Sequence, residues 1–399
     1  MKFISLFTIF LAFGILSSVY SEEANLEGTL DPEIISANTD FGLNLFKNLV
    51  KKSPNNNIFI SPLSINLALE LTYNGANGET QKAMAKALGL ENLDLDTINQ
   101  SNSILINRYL GIDNRVQIAI ANSIWANKGI TLNFGFAGRA EKFYNARVKN
   151  LDFSHPLAVK AINGWVSDET NAKIGRIVDR INNGMVFYLI NALYFKGIWT
   201  KEFNKKDTID GEFFLINGKK KIIPMMFQTN IVKYYQDKDF EAISLPYGNG
   251  KVSMYVFLPR ANSSLSKFVY NLNASDLRKW MSNFSDKELM IVLPKFKVEY
   301  DVVLNEALKE LGMEIIFGAE ADFSNLCKEK VFVDEVKHKT VMEVNEEGTE
   351  SASATSVAIK RNGTYKIVFN RPFFCAIVDN TTGSIIFVCY VVDPQPNIP

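Results

Sequence analysis

The spacing of apolar residues changes along the chain, and the first part has the spacing of helices. Ser61 and Pro62 give a helix cap followed by proline at the first helical position, and apolar residues continue to residues 74–75. A second helical stretch starts near residues 79–80 and stops at Gly89, a residue typical of helix ends. This part of the sequence therefore predicts two consecutive helices.

Residues 161–178 form a third segment with helical spacing. Five of its apolar residues fall near one face of a helix with a period of 3.6 residues. They are Ile162, Trp165, Val166, Ile174 and Ile177. We expect a helix here with one apolar face.

The later part of the chain has the spacing and composition of strands. Apolar runs rich in β-branched and aromatic residues predict buried strands at residues 186–195, 253–259, 288–300 and 384–392. Residues 379–383, with the sequence DNTTG, predict a hairpin turn between two strands. Helices that come early and strands that predominate later indicate a mixed α+β fold.

A polar stretch that follows residue 345 also alternates like a strand. Every second residue of a strand lies on the same face. One face would carry only uncharged residues that are small or β-branched: Thr349, Ser351, Ser353, Thr355, Val357 and Ile359. The other face would carry both charges: Glu350, Ala352, Ala354, Ser356, Ala358 and Lys360. We interpret this stretch as a loop able to become a strand, and the alternative is an ordinary polar linker.

The charge balance argues against a nucleic-acid binder. The 399 residues include 43 Lys and Arg and 43 Asp and Glu, so the formal net charge is zero, whereas such binders are strongly basic. One short basic run, residues 219–221, follows Asn217 and Gly218. We interpret it as the flank of a hairpin turn, and the alternative is a patch for a polyanion.

The N-terminus has the pattern of a secretory signal peptide. Lys2 precedes a mostly apolar run over residues 3–16, and Val19 and Ser21 suit the −3 and −1 positions of a cleavage site. The run is shorter than the roughly 20 residues that a membrane-spanning helix needs. We expect residues 1–21 to be removed and the mature protein to be secreted, without a membrane anchor.

The cysteine count is odd, which is incompatible with a fully paired intramolecular framework. Cys375 and Cys389 both lie in apolar runs, whereas Cys327 lies apart from them. Buried free thiols are favoured for the two apolar positions over a disulfide between them. The spacing of metal-binding cysteines is absent, and no metal or cofactor is expected.

Six Asn-X-Ser/Thr tripeptides are candidate glycosylation sites in a secreted protein. They begin at Asn99, Asn262, Asn273, Asn283, Asn362 and Asn380.

The sequence contains no recognisable catalytic motif. A serine hydrolase needs a histidine base, and the chain has only His155 and His338. The GxSxG, HExxH, P-loop and GxGxxG motifs are absent. We expect His155 to lie in a loop and His338 to be buried and hydrogen-bonded in a strand. The sequence thus indicates a protein that is not an enzyme.

The chain resembles the serpin family along essentially its whole mature length. The early blocks are NIFISPLSI (57–65), LTYNGANGETQKAMAKALG (71–89), ANSIWAN (121–127), INGWVSDETNAKI (162–174) and INALYFKGIWTKEF (190–203). The later blocks are VDEVKHKTVMEVNEEGTE (333–350), FNRPFF (369–374) and IIFVCYVVDP (385–394). Each block alone is weak evidence, but their order along the chain is specific.

The resemblance implies one α+β domain over residues 22–399, with three sheets, about nine helices and an exposed reactive loop at about residues 346–368. It also implies a suicide-substrate mechanism: a serine protease cleaves the loop and forms an acyl-enzyme, and the freed arm inserts into the main sheet. Strand addition of this kind is a known mode of recognition. The uncleaved protein would then be held in a less stable state by a kinetic barrier.

The resemblance also assigns roles to individual residues. The hinge of the loop matches Glu346, Glu347, Gly348, Thr349, Glu350, Ser351, Ala352, Ser353 and Ala354. Trp199 matches a position near the top of the main sheet. A polar cluster beneath the opening strands matches Ser61, Ser64, Asn191 and His338. The alternative role for all of them is core packing.

The scissile bond has two candidate positions. Counting back from FNRPF favours Arg361 before Asn362, and counting forward from the hinge favours Asn362 before Gly363. We prefer Arg361, with Lys360 as a further possibility, because a trypsin-like pocket binds a guanidinium through its carboxylate. Cleavage after Asn362 would instead indicate an asparagine-specific cysteine protease as the target.

Two further alternatives concern the partner. A non-inhibitory serpin that acts as a carrier, chaperone or storage protein would keep the same fold. The helical segments before Ala121 have no obvious basic stripe, so a heparin site is not expected. The partner expected for a monomer of this kind is a trypsin-like serine protease.

Overall fold

The secondary structure is described for residues 30–182, 184–348 and 365–395 of a computed structural model. Nine α-helices occur within these ranges: α1 (Pro32–Lys52), α2 (Pro62–Tyr73), α3 (Gly78–Leu88), α4 (Leu95–Leu110), α5 (Phe134–Tyr144), α6 (Leu157–Glu169), α7 (Leu265–Asn271), α8 (Ala274–Ser282) and α9 (Asn305–Leu308). None of them combines the length and apolar content that a bilayer crossing needs.

Fourteen strands lie in the same ranges. The first seven are β1 (Ile58–Ile60), β2 (Val116–Asn127), β3 (Arg147–Leu151), β4 (Phe187–Gly197), β5 (Ile209–Phe214), β6 (Lys220–Gln236) and β7 (Phe240–Tyr247). The others are β8 (Val252–Pro259), β9 (Ser285–Pro294), β10 (Phe296–Val303), β11 (Glu335–Val344), β12 (Tyr365–Val368), β13 (Phe373–Asp379) and β14 (Ile385–Val391).

The two early helices form where their caps predict them. The Ser61 side chain accepts a hydrogen bond from the Ser64 amide at the start of α2, which satisfies one of the free donors of a helix N-terminus. Gly89 ends α3 in the left-handed conformation at φ 72°, which costs glycine little. All twelve residues of α2 are buried, so this helix runs through the interior.

The third predicted helix is shorter than its apolar spacing indicates. α6 ends at Glu169, and the chain then turns through Asn171 and Ala172, both at positive φ. Ile174 and Ile177 therefore lie beyond the helix, although they pack in the same buried cluster as Ile162. The prediction of one helix to residue 178 was wrong because periodic burial does not report a chain reversal.

The strand predicted for residues 288–300 is two strands in different sheets. β9 ends at Pro294 and β10 begins at Phe296. Between them the Lys295 amide donates to the carbonyl of Pro224 at 2.9 Å. The other three predicted strands are confirmed as β4, β8 and β14, and residues 379–383 form the turn between β13 and β14.

Within the described residues, the main sheet has five strands in the order β10-β11-β4-β2-β3. β11 and β4 are parallel neighbours, and each pairs antiparallel with its other neighbour, β10 or β2. The other strands form a nine-stranded ladder, β1-β14-β13-β8-β7-β6-β9-β12, with β5 on β6. The 17-residue strand β6 pairs with β5, β9 and β7 in turn. The expected three-sheet α+β fold is confirmed, with two of the sheets sharing β6.

The core lies between the main sheet and the β1-β14-β13 region of the other ladder. Phe387 of β14 stacks on Phe59 at 4.9 Å between ring centroids and meets Phe195 of β4 edge-on at 5.7 Å. β1 pairs with β14 and leads directly into α2. The start of α2 is therefore held against the underside of β4 and β11.

The basic run at residues 219–221 lies at a hairpin between β5 and β6, in agreement with the preferred interpretation. The Leu215 amide donates to the Lys219 carbonyl at 2.8 Å. Lys220 pairs with Glu212 at 2.9 Å and Lys221 with Asp393 at 2.7 Å. Two of the three cations are thus neutralised locally.

Candidate functional site

Four polar residues meet beneath β4 and β11, and we call Ser61, Ser64, Asn191 and His338 the opening cluster. His338 and Asn191 lie directly opposite each other in the register of the two parallel strands. His338 Nδ1 lies 2.5 Å from Asn191 Oδ1. The Ser61 amide donates to His338 Nε2 at 3.2 Å. Nε2 is therefore the acceptor and Nδ1 carries the proton.

The remaining polar atoms of the opening cluster are also paired. Asn191 Nδ2 donates to Ser64 at its carbonyl (2.9 Å) and its Oγ (2.5 Å), and reaches Asn122 Oδ1 at 2.5 Å. Ser61 Oγ donates to the carbonyl of Ile386 at 2.7 Å. The cluster thus ties β4, β11, α2 and β14 together through side chains.

His338 is fully buried, and this burial lowers its pKa from 6.5 to about 3. The cationic form is disfavoured because it would be desolvated. The imidazole is therefore neutral at neutral pH, which suits its role as donor to Asn191 and acceptor from Ser61. His155, in contrast, is exposed in a loop, as predicted.

The pairing of β11 with β4 stops before either strand ends. The register runs from Glu335–Tyr188 to Val341–Tyr194, but β4 continues to Gly197 and β11 to Val344. The two strands therefore leave regular pairing at one end of the sheet. A strand entering from that end would run antiparallel to both neighbours, and it would have to separate His338 from Asn191.

Trp199 lies at this end of the sheet, as the resemblance implies. Its Nε1 donates to the Asn345 carbonyl at 2.9 Å, and its amide donates to the Glu347 carbonyl at 3.1 Å. Its ring stacks on Tyr247 at 4.2 Å with an interplanar angle of 12°. Trp199 thus fixes the segment that leaves β11.

Gly348 is required by its surroundings and by its conformation. Its φ is +88°, and a Cβ added there would lie 2.2 Å from the Gly197 carbonyl oxygen and 2.5 Å from the Trp199 amide nitrogen. Its own amide donates to Asn345 at 3.2 Å in a tight turn. Only glycine tolerates both constraints.

The hinge glutamates are held by cations and a hydroxyl. Glu346 is 3% exposed, and it accepts from Thr208 Oγ1 at 2.8 Å and pairs with Lys295 at 3.0 Å. Burial by itself would raise the pKa of Glu346, but hydrogen bonds from its backbone, Lys295 and Thr208 outweigh burial, and the pKa is lowered. Glu347 pairs with Lys205.

Several of these partners were missed by sequence reasoning. Lys205, Thr208, Asn122 and Lys295 are far from the hinge or the opening cluster in sequence, and no motif singles them out. Among the described residues, no group of three or more His, Cys, Asp or Glu side chains is placed to hold a metal ion.

The predicted reactive bond lies outside the described residues. This applies to Lys360, Arg361, Asn362 and Gly363, and to the hinge residues from Thr349 to Ala354. β11 of the main sheet ends at Val344; the described chain continues to Gly348 and resumes at Tyr365 in β12, which pairs with β9 of the other ladder. Twenty residues, 345–364, therefore connect the two strands.

One candidate glycosylation site is corrected by the fold. Asn99 is fully buried on α4, where its Nδ2 donates to Asn74 at 2.9 Å and its Oδ1 accepts from Tyr144 at 2.7 Å. A glycan has no room on this side chain in the folded protein. The other candidates in the described part are exposed: Asn262, Asn273, Asn283 and Asn380.

Comparison with known proteins agrees with this geometry. The family model for serpin (serine protease inhibitor) matches residues 36–394. Serpin B11 of Mus musculus is 34% identical over 390 residues, which cover 92% of this chain and all of that protein.

Solved structures give the same result. The thermophilic serpin tengpin in its native state has a TM-score of 0.86 and 31% identity, covering 92% of this chain and 96% of that one. Human thyroxine-binding globulin complexed with thyroxine has a TM-score of 0.85 and 25% identity, covering 91% and 98%. Since the family model spans most of the chain and a relative above 30% identity covers it almost completely, this protein belongs to the serpin family.

Proposed function

We propose that this protein is a secreted suicide-substrate inhibitor of a trypsin-like serine protease. Serpins are mostly protease inhibitors rather than catalysts, although thyroxine-binding globulin shows that some members bind other ligands. One observation carries the proposal. The alternating segment from Thr349 onwards follows Gly348, and Gly348 lies at the end of the sheet where β11 and β4 stop pairing.

The inhibitory step follows from this placement. The protease serine attacks the Arg361 carbonyl, the amine of Asn362 leaves, and an acyl-enzyme forms on Arg361. The arm that starts at Gly348 then enters between β4 and β11. Each edge of the new strand gains main-chain hydrogen bonds, and the uncharged face from Thr349 to Ile359 can be buried without leaving a charge unpaired.

The opening cluster acts as a gate in this proposal. Separating β4 from β11 breaks the His338–Asn191 contact, which spans the two strands. The hydrogen bonds of Trp199 to Asn345 and Glu347 anchor the pivot. A gate of this kind holds the uncleaved molecule behind a kinetic barrier until cleavage frees the arm.

The reaction with trypsin tests the mechanism. We expect a complex that survives denaturing electrophoresis and a released C-terminal peptide that begins at Asn362. Thr349→Arg should convert the inhibitor to a substrate, because the inserting strand would bury an unpaired charge. Lys360→Ala is the control and should leave complex formation unchanged, whereas Arg361→Ala should abolish it. Clean cleavage of the wild-type protein without a complex would contradict the proposal.

Calorimetry gives a second test. Cleavage near Arg361 should raise the resistance of the protein to heat, because the inserted strand stabilises the main sheet. An unchanged unfolding temperature after complete cleavage would argue against insertion.

A carrier function is the second candidate, and one cavity favours it. A cavity of about 750 Å³ lies beside Trp199 and is lined by Tyr255, Met281 and Gln228 among others. The Oε1 atom of Gln228 is buried without a hydrogen-bond partner among the described residues. Cleavage of the wild-type loop without complex formation or a gain in heat resistance would favour this function.

We propose that the protein is secreted because residues 1–21 have the pattern of a signal peptide. Family membership does not supply this, since serpins include both secreted and intracellular members. We further propose that residues 22–399 form one domain.

Asn362 begins a sequon beside the preferred scissile bond, so a glycan there would block docking of a protease. Mass spectrometry of the secreted protein should find Asn362 unoccupied, and full occupancy would argue against cleavage at Arg361.

A further inference from the structure

Two of the three cysteines face each other in the core. Cys375 of β13 and Cys389 of β14 are direct partners in the antiparallel register, and each is 1% exposed. Direct partners in a sheet point to the same face. The neighbouring Cys375 thiol contributes to raising the pKa of Cys389. The two side chains therefore lie on the same face of the ladder, opposite each other in the register.

The third cysteine is placed elsewhere. Cys327 lies in a loop that bridges to Leu132, and its Sγ donates to the Glu329 carbonyl at 3.3 Å. It belongs to neither β13 nor β14. The odd cysteine count thus resolves into one facing pair and one single thiol.

The backbone geometry of the pair suits a disulfide. Directly opposed residues in antiparallel strands have Cα atoms about 4.5–5.5 Å apart. Disulfides occur at Cα separations of about 4.4–6.8 Å. The register of β13 and β14 is therefore compatible with the Cα separation that a bond between Cys375 and Cys389 needs.

Burial controls when such a bond can form. Desolvation raises the pKa of the Cys389 thiol well above its usual range, and the Cys375 partner raises it further. The thiolate is the reactive species, and both side chains are 1% exposed, so the folded core protects the pair from exchange. The pair must be oxidised while the chain folds, or it stays reduced.

We propose that Cys375 and Cys389 are joined by a cross-strand disulfide when the chain folds in an oxidising compartment, and that Cys327 remains a thiol. This inference rests on the secretion in the proposed function. The two thiols lose two protons and two electrons and form one S–S bond. A disulfide oxidant of the thiol–disulfide oxidoreductase or glutathione class accepts them and becomes two thiols. In this structure the three cysteines are buried and free, as the sequence favours for Cys375 and Cys389. The proposed bond is the state that folding in an oxidising compartment would produce.

The bond would stabilise β14, the strand that packs beneath the opening cluster. It closes a loop that contains the 379–383 turn and fixes β14, whose Ile386 carbonyl accepts the hydrogen bond of Ser61. Disulfides that close loops of about 15 residues restrict the unfolded chain substantially. We expect the oxidised protein to melt about 3–6 °C above the reduced one.

The test is oxidative refolding of the full mature chain. Reduced, denatured protein is refolded in a buffer of oxidised and reduced glutathione, then denatured and alkylated before peptide mass spectrometry. We expect one alkylated cysteine, Cys327, and a peptide pair linked through Cys375 and Cys389. Three alkylated cysteines, or a linked peptide that contains Cys327, would overturn the proposal.

Variants separate the bond from other effects. Cys327→Ser should keep the linked pair and the melting temperature, whereas Cys375→Ala and Cys389→Ala should each leave two alkylated thiols and abolish the redox-dependent shift. If either alanine variant fails to fold, the wild-type peptide map still decides. Trypsin complex formation is measured on the same samples. A complex without the disulfide rejects this inference alone, and the disulfide without a complex rejects the proposed inhibition alone.

Discussion

Two buried polar clusters lie along α2, and they differ in how completely their hydrogen bonds are satisfied. The opening cluster surrounds the start of the helix at Ser61 and Ser64. The second, which we call the helix-layer cluster, joins α1, α2, α4 and α5. Its members are Asn38, Asn66, Glu70, Asn74, Asn99, Asn102 and Tyr144.

The opening cluster is almost completely paired. Every polar side-chain atom of its four residues has a partner. Asn122 at its edge leaves Nδ2 without a partner in the described part of the chain. A satisfied network inside the core can specify one arrangement of strands, and here it fixes β4 beside β11.

The helix-layer cluster is only partly paired. Asn74 and Asn99 exchange two hydrogen bonds at 2.9 Å, and Asn102 Nδ2 donates to Glu70 at 2.5 Å. Buried atoms without a partner among the described residues are both amide atoms of Asn38, Asn66 Oδ1, Glu70 Oε1 and Asn102 Oδ1. Such atoms cost stability. Buried polar groups are therefore expected to stabilise this fold only where their hydrogen bonds are all satisfied.

The largest expected effect is in the opening cluster. Asn191→Leu keeps the size of the side chain but leaves His338 and Ser64 without their partner. We expect a loss of about 3–5 kcal/mol in the free energy of unfolding. Urea unfolding measures this loss. A loss below about 1 kcal/mol would contradict the claim that the paired opening cluster stabilises the fold.

Replacing Glu70 should stabilise the protein, in contrast to Asn191→Leu. Burial raises its pKa from 4.5 to about 8, so the folded state binds a proton that the unfolded state releases. The stability present below pH 4.5 is therefore lost as pH rises towards 8. Glu70→Gln should stabilise the protein by about 2–4 kcal/mol at pH 7.5 and by little at pH 4.5.

The control for this change is Glu141→Gln, an exposed position on α5. It should alter neither the free energy of unfolding nor its pH dependence. A Glu70→Gln gain that is the same at both pH values would contradict the assigned protonation.

The next largest effect is the loss of folding stability that His338 causes at acid pH. Its pKa falls from 6.5 to about 3 on folding, so the unfolded state binds the extra proton. Stability should decline by about 1.4 kcal/mol per unit as pH falls below 6.5. Glu70 opposes this slope between pH 6.5 and 4.5, so the measurement belongs in the Glu70→Gln background.

In that background, His338→Gln should remove the acid slope, and His155→Gln should leave it unchanged because His155 is exposed. Persistence of the slope in the His338→Gln variant would show that another group titrates.

The smallest expected effect tests the unpaired amide of Asn38. Asn38→Leu removes two buried polar atoms without partners and should stabilise the protein by about 1 kcal/mol. Asn44→Leu, at an exposed position of the same helix, corrects for the better helix propensity of leucine. A gain no larger than that of Asn44→Leu would mean that Asn38 finds solvent or another partner.

Sequence reasoning succeeded where the signal is local. The cap at Ser61, the helix end at Gly89 and the 379–383 turn each depend on a few neighbouring residues, and each is confirmed. It failed at residue 170, where a reversal follows α6, and at Lys295, where one apolar run changes sheets. Periodicity reports which residues are buried but not the path of the backbone between them.

The residues of the candidate site likewise fall into those that the sequence predicts and those that it does not. The order of motifs along the chain points to Trp199, Gly348 and the opening cluster. The structure places Trp199 and Gly348 at one end of the main sheet and the opening cluster beneath its centre. The clamp of Glu346 by Lys295 and Thr208 carries no sequence signal. Its partners come from separate strands and loops.

By itself, the sequence determined the family, the α+β class, the helix caps and the alternation of the segment after Gly348, because these depend on residue type and short-range spacing. Only the tertiary structure decided that Asn191 faces His338, that Glu70 is buried against Asn102, and that Cys375 lies opposite Cys389. These contacts join residues 14 or more positions apart, and they are set by how sheets and helices pack rather than by local preference.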